Sequence, residues 1–440
     1  MPITKVRLQN FKCFEDSGDI PLAPLTILFG RNNTGKSSIL HSLLLLKQTV
    51  DSPGFGPRLI TRGPQYSAGN YVDFVHQHRL KQHVTMTFSI STPDGRSGSI
   101  QLEFSADEPQ PPRLNRVRVA ITGVNTLEIR RGRGKDGPYE LVIGGEALGN
   151  EKGANFGFHV NRFLPIIGPE PVKVGRPNMK RERSRATARR FFGELEETLR
   201  SLRAVGAFRR QPERRYEFLG QVTGGADSIG ERVVEALIED SIRRSKTRGT
   251  LLKGVNQWLK QVGRVRLLPF RRISKSARIF EIRLRDTDSG RWANFADVGF
   301  GIGQAFPVLV EGLRTPFGGT FLVQEPEMHL HPDAQLAMAD FLVSLVRSGR
   351  RVIVESHSEH LLLRIRHRIA LGTKSRGRLA KSDVSLVFVD KTQDGTSHAK
   401  VLQVDELGQI ENWPKGFMED ATRERIALLT AQAKRAEAGK

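Results

Sequence analysis

Two hydrophobic patterns open the chain. In "ITKVRLQNF" apolar and polar positions alternate, as in a strand with one buried face, whereas "PLTILFG" is a continuous apolar run suited to a central strand. A glycine-rich turn follows, and from Ser37 to Gln48 the period becomes helical, with Ile39, Leu40, Leu43, Leu44 and Leu46 on one wide apolar face. "HVTMTFSI", "SIQLEFSA" and "RVRVAITG" return to period two. Pro-Asp-Gly and Pro-Pro separate them, so they predict an antiparallel meander.

Further on, "RERSRATARRFFGELEETLRSLRAV" and "IGERVVEALIEDSIRRSKTRG" carry apolar residues at helical spacing amid dense charge. They predict an inserted basic helical subdomain over residues 171–265. No sustained heptad runs through it, so a long coiled-coil arm is not expected. Strands resume after Arg266 with "ARIFEIRLRD", and from Gly299 to Ala370 strands and helices alternate, the signature of a parallel sheet with crossover helices. "DVSLVFVD" and "AKVLQV" add late strands. The expected division is an N-terminal lobe over 1–170, the helical insertion, a C-terminal lobe over 266–420 and a flexible tail over 421–440.

A length of 440 residues is enough to bury a core without disulfides or structural metal. The apolar run "ILHSLLLL" falls well short of the roughly 20 residues that span a bilayer. The opening "MPITKVRLQNFKCF" has no leader-like pattern, and the single Cys13 fits a reducing compartment, so a cytoplasmic protein with no membrane contact is expected. Charge changes the picture more. The net charge is +22, and residues 173–278 hold 27 Lys and Arg against 11 Asp and Glu. Such a footprint suits nucleic acid or an acidic partner protein, and it also suits a merely solvated face.

The strongest chemical signal is "GRNNTGKSS", which fits G-x-x-x-x-G-K-[ST] as Gly30, Gly35, Lys36 and Ser37 between an apolar strand and a helix. Gly35 lets backbone N–H groups curl around a β-phosphate, Lys36 neutralises β/γ charge and the Ser37 hydroxyl ligates Mg²⁺. Asn32, Asn33, Thr34 and Ser38 complete the loop and helix start. ATP with Mg²⁺ is the expected ligand. Nearly 290 residues later, "GGTFLVQEPEMHLHP" ends an apolar strand in Gln324 and Glu325, where P-loop ATPases carry two acids.

That long gap is where the chain resembles the ABC-type ATPases of the SMC and RecF kind, including stand-alone ATPases related to the overcoming-lysogenisation-defect proteins. The resemblance covers about residues 1–60 and 290–420. "LQNFKCFED" is similar to the family's opening strand, which implies that Lys12 lies near bound nucleotide. "VGFGIGQAFPVL" sits at the signature loop, with Gly299 at the usual serine position and Gly301 and Gln304 implied to act on the site of a second copy. "VIVESHSEHLLLRI" supplies the switch residue His357. "ELGQIENWPKGFMED" and the arginine-rich "FRRQPERRYEF" resemble one subgroup.

The implied fold is an α/β ABC-type head with a mixed β-sheet lobe and a parallel P-loop core. The implied roles are Glu325 as general base, His357 at the γ-phosphate and Gln324 in the outer sphere of Mg²⁺. Exchanging an acid for Gln324 costs about 1.5–3 kcal/mol, or roughly 10-fold to 150-fold in rate, so hydrolysis is expected to be slow and not absent. Glu355, at the end of the neighbouring strand, is expected to restore the charge. His329 and His331, two apart in a turn near Glu327, lack the spacing and cysteines of a zinc site, and Trp413 reads as core.

The resemblance further implies a homodimer, or a higher homo-oligomer, closed around ATP, acting as control subunit of a bacterial defence complex with a separate effector. "VDKTQDG" does not supply a nuclease D-x-D pattern. Two other readings stand beside it: a DNA repair or chromosome-maintenance clamp gripping nucleic acid through residues 173–278, and a weakly hydrolysing scaffold that holds a toxin.

Overall fold

The computed structural model describes residues 2–53, 56–91, 95, 97–106, 110–132, 137–150, 158–160, 163–168, 179–218, 232–242, 247–274, 278–372, 379–414 and 426–432. At its centre lies a six-stranded sheet in the order Arg203–Val205, Thr320–Gln324, Arg351–Glu355, Leu25–Phe29, Val384–Lys391, Ser397–Leu402. The first five strands are parallel and the last is antiparallel. Alternation along each strand serves two layers. Leu28, Leu322 and Ile353 face the phosphate-loop helix Lys36–Asp51 and the N-terminal sheet. Ile27, Phe29, Phe321, Val323, Val352 and Val354 face helices Thr250–Gly263, Phe300–Arg314, Pro332–Arg347 and Glu359–Ala370. A sheet buried on both faces explains why these strands read as unbroken apolar runs.

The expected meander is there and is longer than the pattern suggested. Among the described residues, eight antiparallel strands run from Glu146–Asn150 to Phe14–Asp16, with Val84–Ser91, Ser97–Ser105 and Arg113–Ile121 at the middle, and a ninth, Ile20–Pro21, pairs with Ile3–Phe11. "ARIFEIRLRD" is two strands and not one. Ile279–Glu281 and Arg283–Asp286 belong to different three-stranded sheets, parted at the buried Ile282.

The basic stretch corrects an expectation. Among the described residues it forms no core of its own. Helix Met179–Ser201 packs Ala188, Phe191, Phe192, Leu195 and Leu199 into the N-terminal core. Strand Arg203–Val205 then caps the edge of the central sheet, and helices Val233–Ile242 and Thr250–Gly263 join the opposite core. The apolar residues of each helix join a core shared with other parts of the chain, as one-sided helices require. Of the expected tail, residues 426–432 are helical and exposed, and the remainder lies outside the described residues. Among the described residues, no helix is long and apolar enough to cross a membrane.

Candidate active site at the strand ends

Three neighbouring parallel strands end together, with Gln324, Glu355 and Leu28 in one register row. The phosphate loop leaves two residues after Leu28. Its shape depends on glycines at two points. A Cβ on Gly30 would lie 2.1 Å from the Val389 carbonyl oxygen, and one on Gly35, whose φ is +97°, would lie 2.0 Å from the Cys13 sulfur. Thr34 ties the turn by donating its hydroxyl to the Arg31 carbonyl at 2.9 Å. The buried Lys36 ammonium donates to the carbonyls of Gly30 (3.1 Å) and Arg31 (2.7 Å). Burial lowers its pKa, opposed by Glu355 and Glu325. No side chain caps the 16-residue helix that starts at Lys36, so its N-terminal N–H groups and dipole remain for an anion. Arg31, Asn32 and Asn33 are exposed on the loop, and Ser38 lies 3.8 Å from the Cys13 sulfur.

Opposite the loop stands a side-chain cluster. The buried Glu355 carboxylate accepts the Ser37 hydroxyl at 2.7 Å on one oxygen and the Gln324 amide at 2.8 Å on the other. Glu325 has φ +44°, rare for a residue with a side chain, and its N–H donates to the Glu355 carbonyl at 2.8 Å. Its carboxylate stands 4.0 Å from Nε2 of His357. Burial, then the charge of Lys36, lowers the His357 pKa, with Glu355 opposing, so the ring is neutral at pH 7. One row of the structure thus brings together Lys36, Ser37, Gln324, Glu325, Glu355 and His357.

Other expected residues lie elsewhere. Lys12 places its ammonium against Nδ1 of His41 at 3.1 Å, one helical turn past Ser37, and bonds the Tyr66 hydroxyl. Burial lowers its pKa to about 8, and it takes that of His41 down to about 3, with the charge of Lys12 adding to the second shift. Gly299 starts the signature helix with open space where a Cβ would stand. Gly301 is closed in by the His329 carbonyl, 2.4 Å from an added Cβ. Gln304 corrects an expectation: it is 2% exposed and turned inward, its amide donating to the Arg209 carbonyl at 3.4 Å, so its side chain is not offered to a second copy.

Trp413 packs at the core edge, its ring stacked on Phe29 at 6.2 Å. His329 meets Phe300 edge-on, His331 sits near Asp333, and among the described residues no group of three His, Cys, Asp or Glu could hold a metal ion.

Sequence reasoning overlooked two buried ionic residues here, Arg209 and Glu327. The first lies inside the arginine-rich "FRRQPERRYEF" and the second two places after Glu325, so both stood in segments already singled out. Periodicity could not show that they face inward.

Two segments that carry the residues of this row match models of known domains. Residues 1–92 match the model of an AAA ATPase domain, and residues 176–364 match an AAA domain described as a putative AbiEii toxin of a type IV toxin–antitoxin system. These two matches give the chain the domains of a P-loop ATPase. Residues 379–428 of this ATPase also match a family of unknown function. Among solved structures it is similar to an SMC head bound to the C-terminal winged-helix domain of ScpA, at 12% identity and TM-score 0.47, covering 92% of this chain and 99% of that one. The SMC head domain from Thermotoga maritima gives 11% and 0.41, covering 92% and 100%. An SMC head with an extended coiled coil, bound to the C-terminal domain of ScpA derived from Pyrococcus furiosus, gives 12% and 0.43, covering 91% and 96%. No curated protein matches the sequence.

Some of the arginines of the basic stretch are engaged within the fold. Arg185 and Arg189 donate to the Gly168 and Ile167 carbonyls, Arg203 lies 3.5 Å from the buried Glu311, and Arg209 is buried. On the surface, Arg190, Arg200, Arg214, Arg264 and Arg271 each stand beside an acidic side chain.

Proposed function

We propose that this ATPase binds ATP with Mg²⁺, hydrolyses it slowly, closes as a homodimer around the nucleotide, and serves as control subunit of a bacterial defence complex whose effector is a separate protein. The observation that carries the hydrolytic part is the position of Glu355, whose two oxygens meet the Ser37 hydroxyl and the Gln324 amide. The charge absent at position 324 is supplied by the adjoining strand. Ser37, with Gln324 and Glu355 behind it, would hold Mg²⁺, which when bound neutralises the β- and γ-phosphate oxygens. The loop N–H groups and Lys36 bind and orient the triphosphate. The Glu325 carboxylate takes a proton from the attacking water, and the neutral His357 ring donates its N–H towards the γ-phosphate.

A place in a bacterial defence or toxin–antitoxin system is supported by the match of residues 176–364 to an AAA domain described as a putative AbiEii toxin of a type IV toxin–antitoxin system. A Glu325→Gln variant tests the central reading. It is expected to retain ATP while turnover falls at least about 100-fold, and to co-purify from its native host with the effector in the presence of ATP. Retained turnover would remove Glu325 from its role, and salt-sensitive stimulation of turnover by DNA would favour the clamp.

A further inference from the structure

The Glu325–His357 pair is held from behind by two buried ionic side chains that stand outside the row of nucleotide-facing residues. Arg209, 7% exposed, spends its guanidinium on four carbonyls: Gly206 at 2.9 Å, Gln304 at 3.0 Å, Gln324 at 2.5 Å and Glu325 at 2.9 Å. Only a planar fork with five N–H donors reaches so many acceptors from one side chain. Glu327, 8% exposed, uses one carboxylate oxygen to accept both the Ser356 hydroxyl and the His357 N–H, each at 2.7 Å. Its other oxygen is buried without a hydrogen-bond partner. A buried ion with unmet capacity is costly unless geometry elsewhere depends on it.

We propose that Arg209 and Glu327 are positioning residues for the hydrolytic step: Arg209 clamps the carbonyls of Gln324 and Glu325, Glu327 clamps the N–H of His357, and together they fix the 4.0 Å separation of Glu325 and His357. The left-handed backbone at Glu325 needs such support, because a side-chain-bearing residue at φ +44° persists only where its neighbours over-determine it. Glu355 holds its N–H and Arg209 holds its carbonyl, one from each side. Arg209 also binds the Gln304 carbonyl, so helix Phe300–Arg314 is tied to the same peptide that carries the base.

The proposal rests on the ATPase reading, and a variant series separates the two. Full-length Arg209→Lys, Glu327→Ala and Glu327→Gln proteins are compared with the parent for kcat, KM for ATP, affinity for a fluorescent ATP analogue and thermal midpoint. Arg209→Lys and Glu327→Ala are expected to lower kcat about 10-fold to 100-fold, the scale of a misplacement of about 1 Å, with KM and analogue affinity within about threefold. Glu327→Gln keeps an acceptor oxygen for Ser356 and His357 and is expected to recover kcat to within about fivefold of the parent. Unchanged kcat in the first two overturns the proposal. So does an equal loss of kcat and affinity, or a Gln variant as impaired as Ala. If Arg209→Lys fails to fold, the Glu327 pair decides alone. A parent protein that neither binds nor turns over Mg-ATP removes the ATPase reading, and the positioning role with it.

Discussion

The two walls of the site are built in opposite ways. On the loop wall, residues 30–37, the shape is made by backbone: glycines packed against Val389 and Cys13, a threonine-tied turn and an uncapped helix end. On the strand wall, the shape is made by side chains from three strand ends, with Glu355, Glu327 and Arg209 buried among hydrogen bonds. A backbone wall depends on what is absent from its residues, so any added atom damages it. A side-chain wall depends on charge and reach, so its parts can in principle be exchanged in pairs.

The sharpest break of the loop wall is Gly35→Ala. The new Cβ would meet the Cys13 sulfur at 2.0 Å, and φ +97° is strained for any L side chain, by about 1–3 kcal/mol. Loss of measurable nucleotide binding and a lowered thermal midpoint are expected. A second change, Cys13→Ala, should return part of the midpoint and none of the binding, since it relieves the contact and not the backbone. Gly299→Ala supplies the contrast, because nothing lies within 4 Å of its Cβ and its φ is −54°. Its midpoint should be unchanged, and a large fall there would weaken the distinction drawn between the glycines.

On the strand wall the exchange of Gln324 and Glu355 is the informative change. Glu355→Gln alone removes the carboxylate that Ser37 and Gln324 share, and should lower turnover about 10-fold to 150-fold. Gln324→Glu alone restores the acid expected of the strand, yet it sets two carboxylates where an amide and a carboxylate stand 2.8 Å apart. One of them must take a proton, so this variant should also be slower than the parent, by about 10-fold. The double variant Gln324→Glu/Glu355→Gln returns one amide and one carboxylate to the same place, and turnover should recover to within about threefold. A single Gln324→Glu protein faster than the parent would show that the two positions are not interchangeable.

The difference between the walls also explains what could be read from the sequence. Backbone-made features leave a local mark: the glycine spacing of "GRNNTGKSS" between strand and helix located Gly30, Gly35, Lys36 and Ser37 directly. The strand neighbours came from the resemblance, whose fold sets the strand of Glu355 beside that of Gln324, and the two residues are register partners. What escaped was the inward direction of polar groups. Arg209 sits beside Phe208, which is 88% exposed, and no periodic pattern reveals that the charged neighbour is the buried one. The basic stretch misled for the same reason. Its charge read as a surface of its own, whereas its apolar faces belong to cores built largely by residues outside the stretch. Gln304 was placed on the outside because the resemblance gives position along a helix without its rotation.

A further half-buried charge stands beside the loop wall, one helical turn past Ser37. Lys12 is held between His41 and Tyr66, and burial lowers its pKa from 10.5 to about 8. Between those values the unfolded chain binds the proton more readily than the folded one, so stability rises with pH across about pH 8 to 10.5 and the penalty for burying the charged form is largest below pH 8. A Lys12→Met chain should lack this slope, and at pH 7 its midpoint should equal the parent's or exceed it by a few degrees. Saturating ATP supplies the finer test. A triphosphate within reach of Lys12 stabilises its charged form, raises the folded pKa and flattens the parent's slope. If midpoints measured from pH 7 to 10 show the same slope with and without nucleotide, Lys12 belongs to the packing of helix Lys36–Asp51.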